Sequence, residues 1–165
     1  MIRIRKQQPA KQQQPRKGAA LVEFALFSPL FVLLTLGAIQ ANQAINTTML
    51  MSSAVREGGR LATMDWTDVV LDGSTPQAKV LEDIQNFLEA GGIPAEELEL
   101  SIVSAEGADI GDAFDLTDPD NAYRLFRITA TIPYSETSPF HSSFTNEADL
   151  SASLVFRNGK SSISN

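Results

Sequence analysis

Residues 16–24 read Arg16-Lys17-Gly18-Ala19-Ala20-Leu21-Val22-Glu23-Phe24, and an apolar run follows them. In this stretch a basic leader meets a single glycine, and a carboxylate then follows within an otherwise uncharged apolar segment. Between Gly18 and Val55 the only formal charge is Glu23. A charged side chain at the centre of a membrane helix costs about 2.5–3.5 kcal/mol, and less near the end of the helix. We therefore interpret Glu23 as a residue that has a function.

The formal charge of the chain is divided among three unlike blocks. Residues 1–18 carry +6 and no acid, Glu23 adds −1, and residues 56–165 carry −12, which together give the net charge of −7. An acidic domain argues against a nucleic-acid partner, because phosphate contacts require Lys and Arg. The chain has no cysteine, so we expect no disulfide framework and no Cys-ligated metal.

The apolar run predicts one membrane-spanning helix. With Ala19–Val22 it contains about 22 mostly apolar residues, enough to cross a hydrocarbon core of roughly 30 Å. The basic residues before it predict a cytoplasmic N-terminus and an exported C-terminal domain. In a secretory signal peptide the cleavage site follows the apolar region. Gly18 precedes that region, so a cut there leaves the helix on the mature protein.

Pro29 lies inside the run and predicts either a simple kink or a bend that sets how the helix packs.

The helical pattern continues beyond the apolar run to about Ala62. Small and apolar residues recur along it at alternating steps of three and four: Leu34, Gly37, Ala41, Ala44, Thr48, Met51, Val55, Gly58 and Ala62. Gly37 and Ala41 form a small-xxx-small pair, which allows the backbones of two helices to approach closely. These residues form a stripe along the helix. The alternative is that the half of the stripe farther from the membrane packs on the chain's own domain, and the two hypotheses can hold for different parts of the helix.

Arg56, Glu57, Gly58 and Arg60 form a charged segment near the end of this predicted helix. On a helix Arg56 and Arg60 share one face, and Glu57 can pair with Arg60. One interpretation is a solvated helix end with Gly58 or Gly59 as its C-cap. The other is a contact for an acidic neighbour, in which the glycines allow close approach.

Residues 63–165 predict a small α+β domain. Residues 76–90 have the apolar spacing of an amphipathic helix, and Gly91-Gly92 ends it. Residues 98–104, 123–134 and 149–156 have strand patterns. We expect about three antiparallel strands packed with this helix and with the outer half of the long helix.

The sequence of the first 62 residues resembles a known family. Gly18, four small or apolar residues, Glu23 and Phe24 are similar to the start of type IV pilin-like helices. The string from Gly18 to Leu30 resembles the TadE/TadG-like minor pseudopilins of the tight-adherence (type IVc pilus) system. Residues 53–62 are similar to the Ala-x-Arg-Glu-Gly-x-Arg segment of that family, and residues 150–158 resemble its C-terminal end.

This resemblance implies a pilin-like fold and a processing step. A prepilin peptidase would cut between Gly18 and Ala19, dividing the chain into a leader (1–18), a membrane and assembly helix (19–62) and an exported domain (63–165). Glu23 would then lie one helical turn from the new amine and would pair with it in the same or a neighbouring subunit. The alternative is that Glu23 reaches the lipid headgroups at the edge of the membrane.

The resemblance also implies partners and a location. The partners are the prepilin peptidase, other pilin and pseudopilin subunits, the inner-membrane assembly platform and membrane lipid. The location is the bacterial inner membrane, with a single pass, a cytoplasmic N-terminus and a domain in the periplasm or in the pilus. The competing hypothesis is an uncut, signal-anchored envelope protein whose outer domain binds a ligand.

No pattern in the sequence predicts an enzyme, a metal site or a cofactor. The single histidine, His141, lies among serines, but adjacency in sequence is not the geometry of a catalytic triad. Residues 106–120 include six acids, with a spacing that does not match the EF-hand loop. We therefore interpret this segment as a solvated loop, an interpretation that heat released on Ca²⁺ titration at micromolar concentration would overturn.

Overall fold

The computed structural model describes residues 17–64, 66, 73–94, 96–137 and 148–159. Three α-helices and three strands lie in these ranges, with two short 3₁₀ turns between β1 and β2: α1 (Lys17–Ala62), α2 (Pro76–Ala90), β1 (Glu99–Ser104), β2 (Leu125–Pro133), α3 (Tyr134–Thr137) and β3 (Asp149–Arg157). The expected α+β class, with one long N-terminal helix and three antiparallel strands, is confirmed. His141 lies outside the described residues.

The chain separates into two compact units, residues 1–38 and residues 39–165. In the first unit the described residues form the N-terminal part of α1, and most of its large apolar side chains are exposed. α1 has an 18-residue window that is apolar enough to cross a membrane, and no part of that window is buried. Apolar side chains without a protein partner are expected where lipid is the solvent.

The second unit is built around an antiparallel sheet with the strand order β1-β2-β3. In its register, Ile102 pairs with Ile128, and Ile128 pairs with Leu154. The central strand β2 alternates strictly, with four residues buried on one face: Phe126, Ile128, Ala130 and Ile132. The same face of β3 contributes Ala152 and Phe156, so this face of the sheet forms one side of the core.

Helix α2 has the predicted bounds, and the structure shows how both of its ends are capped. The hydroxyl of Thr75 accepts a hydrogen bond from the backbone N–H of Ala78, and Pro76 occupies the first turn. Both features are typical of helix N-termini. At the other end, the N–H of Gly91 donates to carbonyl groups of the last turn, including that of Phe87. The residues that α2 buries are spaced four apart along one face: Pro76, Val80, Ile84 and Leu88.

The outer half of α1 packs on the chain's own domain. Met51, Val55 and Ala62 are at most 1% exposed and belong to the same core as the sheet and α2. Of the two hypotheses for the outer part of the stripe, packing within the domain is therefore the one that the structure supports. In contrast, Leu34 in the first unit is 66% exposed.

The prediction that Gly58 or Gly59 caps the C-terminus of the long helix is wrong. α1 continues to Ala62, and both glycines lie inside it. A Cβ at Gly58 would collide with the side chain of Ile84 on α2, and a Cβ at Gly59 would collide with the ring of Phe156 on β3. These two glycines are therefore sites of close approach between α1 and the rest of the core, and not a helix end.

We predict that Gly59→Ala destabilises the protein by about 1–3 kcal/mol, the usual cost of inserting a methyl group into a filled core. At an unconstrained helix position the same change stabilises by roughly 1 kcal/mol, because alanine has the higher helix propensity. Gly37→Ala is the matched control, since a Cβ at Gly37 meets nothing within 4 Å. Thermal unfolding of the full chain in detergent measures both variants. A higher melting temperature for Gly59→Ala would contradict the proposed packing role.

Candidate assembly and membrane site

The residues predicted for processing and assembly lie at the N-terminal end of α1. Gly18, Ala19, Glu23 and Phe24 are all helical and exposed. A Cβ at Gly18 would meet nothing within 4 Å, so the packing of the described residues does not require a glycine there.

Pro29 lies inside α1 and changes the local hydrogen bonding. It has no backbone N–H, so the carbonyl group of Ala25 lacks its usual donor four residues later. In the same unit the hydroxyl of Thr35 is satisfied locally, since it donates to the carbonyl of Phe31 at 2.8 Å. The carbonyl of Ala25 is therefore a point at which a neighbouring helix or a water molecule can bind.

Further along α1, in the second unit, the charged segment lies at the helix surface. Arg56, Glu57 and Arg60 are exposed, while Gly58 between them is buried against α2. Glu57 accepts a hydrogen bond from the guanidinium of Arg60 at 3.2 Å, which is the predicted pairing. Both partners are more than half exposed, so this ion pair contributes at most about 1 kcal/mol.

Gly37 and Ala41, the small pair predicted for helix packing, are both exposed on α1. Gly37 belongs to the first unit and Ala41 to the second. A Cβ at Gly37 would not touch any described atom, so the surface of α1 at Gly37 is open to a neighbouring helix. This is the arrangement that a close helix–helix contact needs.

The structure also contains a cleft that the sequence analysis did not identify. It has a volume of about 420 Å³ and lies between α1 from Ile39 to Leu50, the Gly91–Ile93 turn after α2, and the end of α3. Its polar lining consists of Asn42, Gln43, Asn46, Thr47, Glu136 and Thr137. The only signal in the sequence was the cluster of uncharged polar residues that follows the apolar run.

Two hydrogen bonds between distant parts of the sequence hold one wall of this cleft. The amide of Gln43 donates to the carbonyl of Thr137, and the phenol of Tyr134 donates to the carbonyl of Gln40 at 3.2 Å. Together they attach α3 to α1 and keep Glu136 at the rim of the cleft. Among the described residues that line the cleft, Glu136 is the only ionisable one.

The acidic segment 106–120 uses several of its carboxylates to order its own backbone. Asp109 pairs with Arg124 at 2.9 Å, and Asp118 accepts from the N–H of Asp120 at 2.9 Å. Asp115 accepts from the hydroxyl of Thr117 at 2.6 Å, from its N–H at 2.7 Å, and from Gln77 on α2. Within the described ranges, no group of three or more His, Cys, Asp or Glu side chains is arranged to hold a metal ion.

Comparison with known proteins gives one match. Residues 18–60 match the family model described as TadE-like protein. The resemblance found in the sequence is therefore confirmed over this segment, which covers nearly all of α1, and the match supports a component associated with the tight-adherence pilus. No curated protein and no solved structure matches the chain.

The hydrogen bonds to Asp115 generate a prediction about pH. The hydroxyl of Thr117, and then its N–H, lower the pKa of Asp115 below its ordinary value. A carboxyl group whose pKa is lower in the folded state stabilises the fold above its unfolded pKa, near 4, and this contribution is lost as the pH falls through the folded pKa. We expect Thr117→Val to raise the pKa of Asp115, because the strongest donor is removed.

Carbon-detected NMR titration of the carboxyl groups measures this change, with Thr63→Val as a control that removes a hydroxyl bonded to a backbone carbonyl, that of Arg60. An unchanged Asp115 titration in Thr117→Val would show that the hydroxyl does not bind the carboxylate in solution.

Proposed function

We propose, from the TadE-like match over residues 18–60, that this chain is a membrane-anchored minor pseudopilin of the tight-adherence system. In this proposal α1 anchors the protein in the bacterial inner membrane and also carries the contacts of assembly. Its N-terminus faces the cytoplasm, and residues 63–165 form the exported domain. The partners are the prepilin peptidase, other pilin and pseudopilin subunits, and the inner-membrane assembly platform.

The observation that carries the proposal is the extent of the match. It begins at Gly18, next to the first residue of α1, and ends at Arg60, two residues before the last. The matched segment therefore includes both the exposed apolar part of α1 and the part that packs in the core. A simple signal anchor needs only the apolar part, about 20 residues long.

The proposed processing step cuts the chain between Gly18 and Ala19. Helix α1 would then start with a free amine at Ala19, and Glu23 would lie about 6 Å along the helix axis. An amine and a carboxylate that pair offset part of each other's desolvation in a low-dielectric environment. The pair forms either within one chain or between neighbouring subunits, and in the second case it sets the register between two helices.

We predict that the protein recovered from its native membrane begins at Ala19, because the peptidase removes residues 1–18. Intact-mass spectrometry measures this directly. Gly18→Phe should leave the chain uncut, because the peptidase accepts at this position a residue without a side chain. Gly37→Ala should be cut normally. Recovery of the full-length wild-type chain would contradict the proposed processing and support the uncut, signal-anchored alternative.

We further predict that Glu23→Gln is cut normally but is incorporated into pili at less than about one tenth of the wild-type level. The reason is that removing one partner of a desolvated ion pair costs about 3–5 kcal/mol. Quantitative immunoblotting of sheared pili measures incorporation, and the membrane fraction provides the reference. Glu57→Gln is the control, because it neutralises a glutamate on the same helix outside the apolar run. Normal incorporation of Glu23→Gln would eliminate the proposed role of this carboxylate.

A further inference from the structure

We propose that the cleft formed by α1, the Gly91–Ile93 turn and α3 binds a primary ammonium group, and that the membrane lipid phosphatidylethanolamine supplies it. This inference goes beyond the pseudopilin role. It requires only that α1 spans the membrane, whether or not the leader is removed.

The chemistry of the lining selects the ligand class. The polar lining residues are amides, hydroxyl groups and one carboxylate, that of Glu136, and no Lys, Arg or His is among the described residues that line the cleft. A cleft without a cation is a poor site for an isolated anion. A primary ammonium group, in contrast, donates three hydrogen bonds, and the carboxylate together with amide and hydroxyl oxygens can accept them.

The position of the cleft along the chain selects the lipid as the source. Ala19 and Ile39 are 20 residues apart, which corresponds to about 30 Å of helix, the thickness of the hydrocarbon core. A helix that begins to span at Ala19 therefore reaches the headgroup layer near Ile39. The wall of the cleft starts at Ile39 and continues through Asn42, Gln43 and Asn46.

The zwitterionic headgroup also matches the mixture of groups in the cleft. The ammonium would lie at Glu136, which the bonds from Gln43 to Thr137 and from Tyr134 to Gln40 hold at the rim. The phosphate would accept hydrogen bonds from the side-chain amides of Asn42 and Asn46, which are exposed in the lining. The volume of about 420 Å³ exceeds that of one small headgroup. Phosphatidylcholine is the natural comparison, because its quaternary ammonium has no N–H to donate.

The test uses the full chain, purified in a mild detergent and exchanged into nanodiscs that contain equal amounts of phosphatidylethanolamine and phosphatidylcholine. Native mass spectrometry of the released protein counts the lipids that remain bound. We expect retention of phosphatidylethanolamine to exceed that of phosphatidylcholine by about tenfold, as expected for charge-assisted hydrogen bonds. Glu136→Gln should abolish this preference, and Glu106→Gln, which neutralises a carboxylate outside the lining, should preserve it.

A second experiment distinguishes the two possible sources of the ammonium group, which are the lipid headgroup and a free soluble amine. Phosphoethanolamine is titrated into the detergent-solubilised protein and followed through the amide signals of Asn42 and Asn46. If the lipid is retained selectively, the headgroup is the ligand. If only the soluble amine binds, and Glu136→Gln removes that binding, the ammonium site stands with a free amine as its ligand. Equal retention of both lipids together with no response to phosphoethanolamine would overturn the proposal. The same lipid preference and the same phosphoethanolamine response in wild type and in a folded Glu136→Gln protein would also overturn it.

Discussion

The close approach of α1 to α2 and β3 at Gly58 and Gly59 is the contact on which the domain depends. A sheet of three strands has one face to bury, and a single 15-residue helix covers only part of it. The outer half of α1 supplies the remaining cover, but only if its backbone lies against Ile84 and Phe156 without intervening side chains. The glycines lower helix propensity by about 1 kcal/mol each, and the core contacts that they allow offset this loss.

In this arrangement the two parts of one helix have different surroundings. In the first unit most of the large side chains of α1 are exposed, as lipid contact requires, whereas in the second unit Met51 and Val55 are fully buried in protein. Between Glu23 and Arg56 the sequence makes this change without any formal charge. Uncharged amides at Asn42, Gln43 and Asn46 occupy the transition, because they bind polar groups without the desolvation penalty of an ion.

Most elements of the fold were predictable, because their signals are local and periodic. The alternation in β2, and the apolar spacing of α2 with Gly91-Gly92 after it, predicted strand and helix boundaries within two residues of those observed. The error at Gly58-Gly59 has a physical cause: glycine after a helical segment looks the same whether it ends the helix or allows a neighbour to approach. Only the positions of Ile84 and Phe156, which are distant in sequence, distinguish the two cases. The cleft was missed for the same reason, since its three walls come from residues 39–50, 91–93 and 136–137.

The acidic domain also contains basic residues, and several of them form ion pairs. Lys79 on α2 pairs with Glu82 and Asp83, and Arg124 pairs with Asp109, so these two basic groups help to order the surface of the domain. Arg60 is likewise paired with Glu57. Arg56 forms no ion pair among the described residues and lies exposed on the helix at the end of the uncharged segment. If subunits assemble side by side through α1, Arg56 can meet an acidic neighbour without first breaking an ion pair with a described residue. A cation at such a contact would offset part of the repulsion between two acidic domains.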